Sequence, residues 1–225
     1  MFSGRLWNLF IDSFPRILIP GITVAIPLTV IGFSLAMVIA VAVALIQFAN
    51  IKVLKQIARF YIWIFRGTPL LVQLYIVFFG LANIGIVIDP FPAAVLVFAL
   101  NEGAYGAETI RAALESVPAG QLEAGQCAGL SYMQTIFRIV LPQAMRTAFP
   151  SLSNALISML KDTSMASCIT VTEMMRTSQQ IIARSYEALL IYMEAGLIYL
   201  IFSTVLTKLQ SIGEKKLSFY GRKER

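Results

Sequence analysis

Polar side chains recur at regular spacing inside apolar segments of this 225-residue chain. Within residues 148–169, Ser151, Asn154, Ser158 and the pair Lys161–Asp162 follow at steps of three, four and three, which lines them along one stripe of a helix. A charge at the centre of a bilayer costs about 2.5–3.5 kcal/mol, so such a stripe faces protein or water rather than lipid. Two uses are open. One is a hydrated pathway whose hydroxyls, amide and charges touch a polar solute. The other is a hydrogen-bonded seam between helices, with Lys161 and Asp162 reaching water at the outer interface. Residues 93–113 hold Asn101, Glu102, Tyr105, Glu108 and Arg111. Glu108 and Arg111 are three apart and suit a structural ion pair. Glu102 has no partner within its own helix; its carboxylate can receive an ammonium group or pair with Lys161 of the next span. Gln73 and Arg66-Gly67-Thr68-Pro69 interrupt another apolar run, and the carbonyls that Pro69 frees allow a kink used for gating or for helix packing.

Other chemistries are excluded or unsupported. The chain has no histidine, so the commonest general base and metal ligand is missing, and no metal site is expected. Its only cysteines, Cys127 and Cys168, fall in loops assigned to opposite sides of a membrane, which disfavours a disulfide. No G-x-x-x-x-G-K-[ST] loop occurs, so the chain has no visible nucleotide site or bound cofactor of its own. The net charge of +6 does not signal nucleic-acid binding, because the cations sort by loop instead of forming one basic face.

The elements that carry these residues are bilayer-length. With 58% hydrophobic and 13% charged residues, this is an all-α, multi-pass membrane protein read as one domain over 1–225. Residues 1–16 suit a short amphipathic interfacial helix. Five spans follow at about 17–48, 60–81, 93–113, 148–169 and 188–209. The first exceeds a signal-peptide core and is expected to tilt or break near Pro20 or Pro27. Lys52, Lys55, Arg59, Arg66, Arg111, Arg138, Arg146, Lys208, Lys215, Lys216, Arg222, Lys223 and Arg225, thirteen of the 18 cations, fall on one side of this alternating topology. By the positive-inside rule that side is the cytoplasm, with the N-terminus outside and the C-terminus inside.

Residues 116–142, SVPAGQLEAGQCAGLSYMQTIFRIVLP, form the longest stretch without a bilayer-length apolar run. Pro118 and Gly120 break before a short helix, Gly129 interrupts it, and Pro142 is expected to close the helix that follows. The segment reads either as a surface linker or as a rigid cytoplasmic protrusion that docks a partner. Its pattern E-A-[AG]-x3-G-x9-I-x-L-P, carried by Glu123, Ala124, Gly125, Gly129, Ile139, Leu141 and Pro142, resembles the EAA loop of ATP-binding-cassette importer permeases. Gly125 stands where alanine is usual, and small residues are tolerated there. The segments RGTPLLVQL (66–74), AYGAETIR (104–111), LPQAMR (141–146) and KDTS (161–164) resemble the polar-amino-acid branch. ARFYIWIFRGTPL (58–70), DPFPAA (89–94) and PSLSNALISMLKDTS (150–164) are most similar to cystine permeases.

This resemblance implies a type I importer permease fold in the plasma (inner) membrane of a prokaryote. It implies a non-enzymatic subunit that moves an amino acid, with cystine favoured, by alternating access. The implied partners are two cytoplasmic ATPase subunits that hold ATP and Mg, a second permease copy or paralogue, and an extracytoplasmic solute-binding protein. It makes 116–142 a coupling loop in which Glu123, Ala124, Gly125, Gly129, Leu141 and Pro142 engage the ATPase. Glu123 would pair with a basic group there, and Leu122, Ala124, Ala128 and Leu130 would fill its groove. Gly129 would permit the turn and close packing. Glu102, Gln73, Asn154, Ser158, Lys161 and Asp162 are the expected substrate pathway. The competing reading is an ion-coupled secondary amino-acid transporter or channel, against which no inverted repeat is visible.

Overall fold

The computed structural model describes residues 4–48 and 52–222. Asn50 and the tail cations Lys223 and Arg225 lie outside them. Among the described residues every regular element is helical. The first is α1 (Gly4–Pro20), joined by a π-helical turn (Gly21–Ala25) to α2 (Ile26–Phe48). The amphipathic start is therefore no separate interfacial helix. It continues into the first span as one 45-residue helix, about 68 Å long against a hydrocarbon core of about 30 Å. The wide turn lies between Pro20 and Pro27, at the expected weak point. Pro27 has no N–H to give the carbonyl four residues back, and the π geometry absorbs that loss.

Next come α3 (Lys52–Gly67) and α4 (Leu70–Tyr75), the latter extended by a π-helical turn (Ile76–Gly80). The expected straight span over 60–81 is instead bent by 104° between α3 and α4. Pro69 is extended (φ −64°, ψ 139°) and caps α4, while Thr68 precedes a proline and so avoids helical geometry. After α5 (Pro90–Glu115) come the short α6 (Gly120–Cys127) and α7 (Tyr132–Thr135). A π-helical turn (Ile136–Val140) then leads into α8 (Leu141–Asp162) without a break. Pro142 thus does not close a helix; the π turn just before it accommodates its missing N–H, as at Pro27. A 3-10 segment (Thr163–Ile169), α9 (Met174–Ser185) and the 35-residue α10 (Ala188–Arg222) complete the chain.

By length and composition α1–α2 and α10 can each cross a bilayer, and α3–α4 can do so as one broken span. The five-span count further needs α5 and α8, 26 and 22 residues long, which carry the polar residues singled out above.

The core is built on α2 and α5. Both bury small residues, Gly32, Ala36, Ala40 and Ala44 against Gly103, Ala104, Gly106 and Ala107. A methyl on Gly106 would sit 3.0 Å from Ala40 Cβ, so the absent side chains let the backbones approach closely. α8 packs against both α5 and α2, and α1, α9 and α10 form a separate apolar cluster around Ile17, Met174 and Ile198.

Candidate functional site

The polar stripe of α8 points away from the chain's own core. Leu152, Met159 and Leu160 are buried, whereas Ser151, Asn154, Ser158 and Lys161 are exposed and, among the described residues, make no side-chain hydrogen bond or ion pair. Asp162 and Glu102 are half-buried, and Asp162 acts on Glu102 as a neighbouring like charge. No Glu102–Lys161 ion pair forms among the described residues. Tyr105, one turn along α5, is also exposed. Two carboxylates, a lysine and several neutral hydrogen-bonding groups therefore border one open face of α5 and α8.

Gln73 does not belong to that face. It is 7% exposed and its amide is fully engaged. It donates to the Phe65 carbonyl at 2.9 Å and to Thr68 Oγ1 at 2.8 Å, and it accepts from Asn101 Nδ2 at 3.0 Å. Asn101 also donates to the Phe65 carbonyl at 3.2 Å. These two amides take up carbonyls released by the break at Pro69, so Gln73 braces the bend. Sequence periodicity shows a polar residue in an apolar run but not which of the two duties it has.

Glu108 and Arg111 form an ion pair at 3.0 Å, and Arg111 also holds Glu115 at 2.7 Å. Arg66 reaches Glu108 at 3.6 Å and lies over the Tyr105 ring, 5.2 Å from its centroid, while Gln47 donates to Glu108 at 3.3 Å. The pair is thus the centre of a cluster drawn from α2, α3 and α5. It lines a cavity of about 440 Å3 together with Lys55, Arg59 and Trp63. The side chain of Arg66 supplies the link that local spacing does not reveal.

The loop over 116–142 folds into a corner. α6 ends in a Schellman motif: Gly129, at φ +77°, donates to the Gln126 carbonyl at 2.9 Å, and Leu130 donates to the Gly125 carbonyl at 3.0 Å. Ser131 then opens α7 with a capping box, in which Ser131 N donates to Gln134 Oε1 at 2.9 Å and Gln134 N donates to Ser131 Oγ at 3.3 Å. Open space surrounds Gly129, so its backbone angle alone demands glycine, not close packing. Glu123, Ala124 and Ala128 are exposed. Leu122 instead packs on the core beneath, and Gly125 is buried. Leu122, expected to help fill a partner's groove, and Gly125, expected to engage the ATPase, thus face inward. Gly125 also has no room for the alanine that reading allows, because an added Cβ would come within 2.6 Å of Thr135 Oγ1. Leu141 is half-buried against the same core, and Pro142 is exposed.

Two buried carboxyls escape sequence reading. Glu173, wholly buried, caps α9 by accepting from the backbone N–H groups of Met175 and Arg176, each at 2.8 Å, and from Tyr199 Oη at 2.8 Å. Burial pushes its carboxyl above the usual range, against the pull of those donors. Glu194, 2% exposed, meets Ser13 Oγ at 2.6 Å. An acid at the border of a helix is the only sequence signal for Glu173, and none exists for a contact across 181 residues.

Residues 36–219 match the family model described as binding-protein-dependent transport system inner membrane component. The chain is 45% identical to the L-cystine transport system permease protein TcyB of Bacillus subtilis (strain 168), over 95% of this chain and 92% of that one. It is 39% identical to the octopine transport system permease protein OccM of Rhizobium radiobacter, over 93% and 87%. A solved structure described as an amino acid ABC transporter with histidines aligns with a TM-score of 0.84 at 32% identity, covering 92% of this chain and 96% of that one. The inward-facing MetNI methionine transporter aligns with a TM-score of 0.72 at 19% identity, over 96% and 99%, a likeness of fold alone.

Proposed function

This chain belongs to the binding-protein-dependent transport system inner membrane components, and we propose that the cargo of its importer is L-cystine. It is an inner-membrane permease subunit of an amino-acid ATP-binding-cassette importer, with a type I permease fold. It is not an enzyme: in such importers ATP is hydrolysed by a separate subunit, and a solute-binding protein delivers the cargo. Family membership gives no support to an ion-coupled transporter.

The observation that carries the cystine reading is the 45% identity to TcyB along nearly the whole of both chains. A second cystine permease, TcyL of the same organism, is 39% identical, level with the octopine permease OccM, while the arginine permease ArtQ is at 33%. In this reading two permease copies, or a copy and a paralogue, face each other across the polar sides of α5 and α8. Glu102 and Asp162 receive an ammonium group of the amino acid and Lys161 a carboxylate. Asn154 and Ser158 give neutral hydrogen bonds along the route. Gln73 is left out, since its amide is already used. Glu123, Ala124 and Ala128 meet one of two ATPases, which hold ATP and Mg. The N-terminus lies outside and the C-terminus inside. The packing of α1 on α9 agrees with this topology, which puts the N-terminus and the segment between the fourth and fifth spans on one side.

Reconstituting the permease with its ATPase and binding protein, and measuring ATP-dependent uptake of labelled amino acids, tests the reading. Cystine uptake that excess arginine and glutamine do not suppress is expected. A binding protein that shifts with arginine or glutamine and ignores cystine would overturn the cargo and leave the mechanism standing.

A further inference from the structure

We propose that Gly125 and Thr135 are positioning residues that set the angle at which α6 presents its outer face to the ATPase. This inference rests on the coupling reading of that face. The observations concern the hidden side of α6. Glu123, Ala124, Gln126, Cys127 and Ala128 are exposed, whereas Gly125 is buried, so it cannot be a contact residue for a docked protein. What it meets is Thr135 at the end of α7. A Cβ on residue 125 would lie 2.6 Å from Thr135 Oγ1 and 3.1 Å from Thr135 Cβ, with Thr135 Cγ2 closer still.

Thr135 has little freedom to yield. It is wholly buried, its Oγ1 donates to the Ser131 carbonyl at 3.1 Å, and its own N–H donates to the same carbonyl at 2.9 Å. A rotamer change would trade one branch of this β-branched residue for the other against the same wall. The Schellman end of α6 closes at Leu130 and the capping box opens at Ser131, so no free residue separates the two closed motifs. Gln121 is tied to Gln143 of the long helix at 3.3 Å. The unit is therefore held at both ends and at its centre. A methyl at 125 cannot be absorbed locally, and α6 must lift or tilt as a body, moving Glu123 and Ala124 with it.

The test uses the assembled transporter, with each permease variant quantified in the membrane. Retention of the ATPase on immobilised permease and ATP hydrolysed per cystine imported are the two readouts. Gly125→Ala should lower retention and coupling about tenfold, as overpacking does. Adding Thr135→Ala, which removes both branches, should restore both readouts to within about twofold of wild type. A Gly125→Ala transporter that behaves as wild type overturns the proposal. So does a loss that Thr135→Ala fails to restore, because it would mean that residue 125 acts on the partner directly. If Gly125→Ala does not accumulate, Thr135→Ile makes the same intrusion from the opposite wall with the glycine intact. It should reproduce the loss, and wild-type coupling there also overturns the proposal. Glu123→Lys separates the premise from the inference. It should uncouple without rescue by Thr135→Ala, and its full coupling would remove the docking reading itself.

Discussion

The loop over 116–142 and the polar face of α5 and α8 are both rich in hydrogen-bonding groups, yet they treat them oppositely. In the loop the groups that end α6 and begin α7 bond to each other within a few residues, and a glycine and a threonine interlock behind them. On the face, Ser151, Asn154, Ser158 and Lys161 remain exposed, with no side-chain hydrogen bond among the described residues. The loop is complete as one chain and suited to bear force. The face is incomplete as one chain and suited to exchange its partners for water or cargo. Groups that must release a solute cannot be spent on internal bonds.

The contrast can be broken in order of expected effect. Among the described residues Glu123 has no side-chain partner, so Glu123→Lys should leave membrane abundance unchanged. Reversing a charge against a basic partner costs about 3–5 kcal/mol when the pair is buried, and uptake should fall more than about a hundredfold. Unchanged uptake by vesicles carrying the variant would remove the partner-facing role of the loop. Next, Lys161→Met should raise the KM for uptake by about 10–100-fold, the worth of one charged hydrogen bond, with abundance retained. A loss of abundance at unchanged KM would instead make the face a structural seam. Gln73→Leu should do the reverse of Lys161→Met. It takes one of two donors from the Phe65 carbonyl, the donor to Thr68 Oγ1 and the acceptor of Asn101, so thermal stability in detergent should drop by about 1–3 kcal/mol while KM holds; a KM change would return Gln73 to the pathway. The smallest effect is expected for Gly129→Ala, about 1 kcal/mol of strain at a left-handed position, with Gly129→Asn milder. Equal behaviour of alanine and asparagine in a melting series would show that φ is not what the position selects.

What the sequence made legible follows the range of the interactions. Gly129 and the weak point between Pro20 and Pro27 were readable because turn chemistry is local. The stripe from Ser151 to Lys161 was readable because helical periodicity tells which residues share a side. Periodicity does not tell whether that side is free, so Gln73 and Asn154 looked alike although one is buried and the other exposed. The inward turn of Leu122 and Gly125, the arrival of Arg66 at Glu108 and the contact of Ser13 with Glu194 all depend on packing between distant segments. The helix α9 escapes sequence reading because its cap is a buried acid held by a tyrosine 26 residues further on, and its short apolar face, Met174, Ile181 and Ile182, packs on distant segments.

The brace at the α3–α4 bend bears on how the chain is made. The Phe65 carbonyl is met by Gln73 of the same broken span, but the amide carbonyl of Gln73 needs Asn101, which leaves the ribosome 28 residues after it. Until α5 enters the bilayer the bend lacks that donor, and an open carbonyl in lipid is costly. The broken span is therefore synthesised before it can be finished, and it must wait beside the insertion machinery, or in water at the interface, until α5 arrives. A truncation ending before residue 101 should leave α3–α4 exposed to the membrane's quality-control proteases, and one that includes α5 should not.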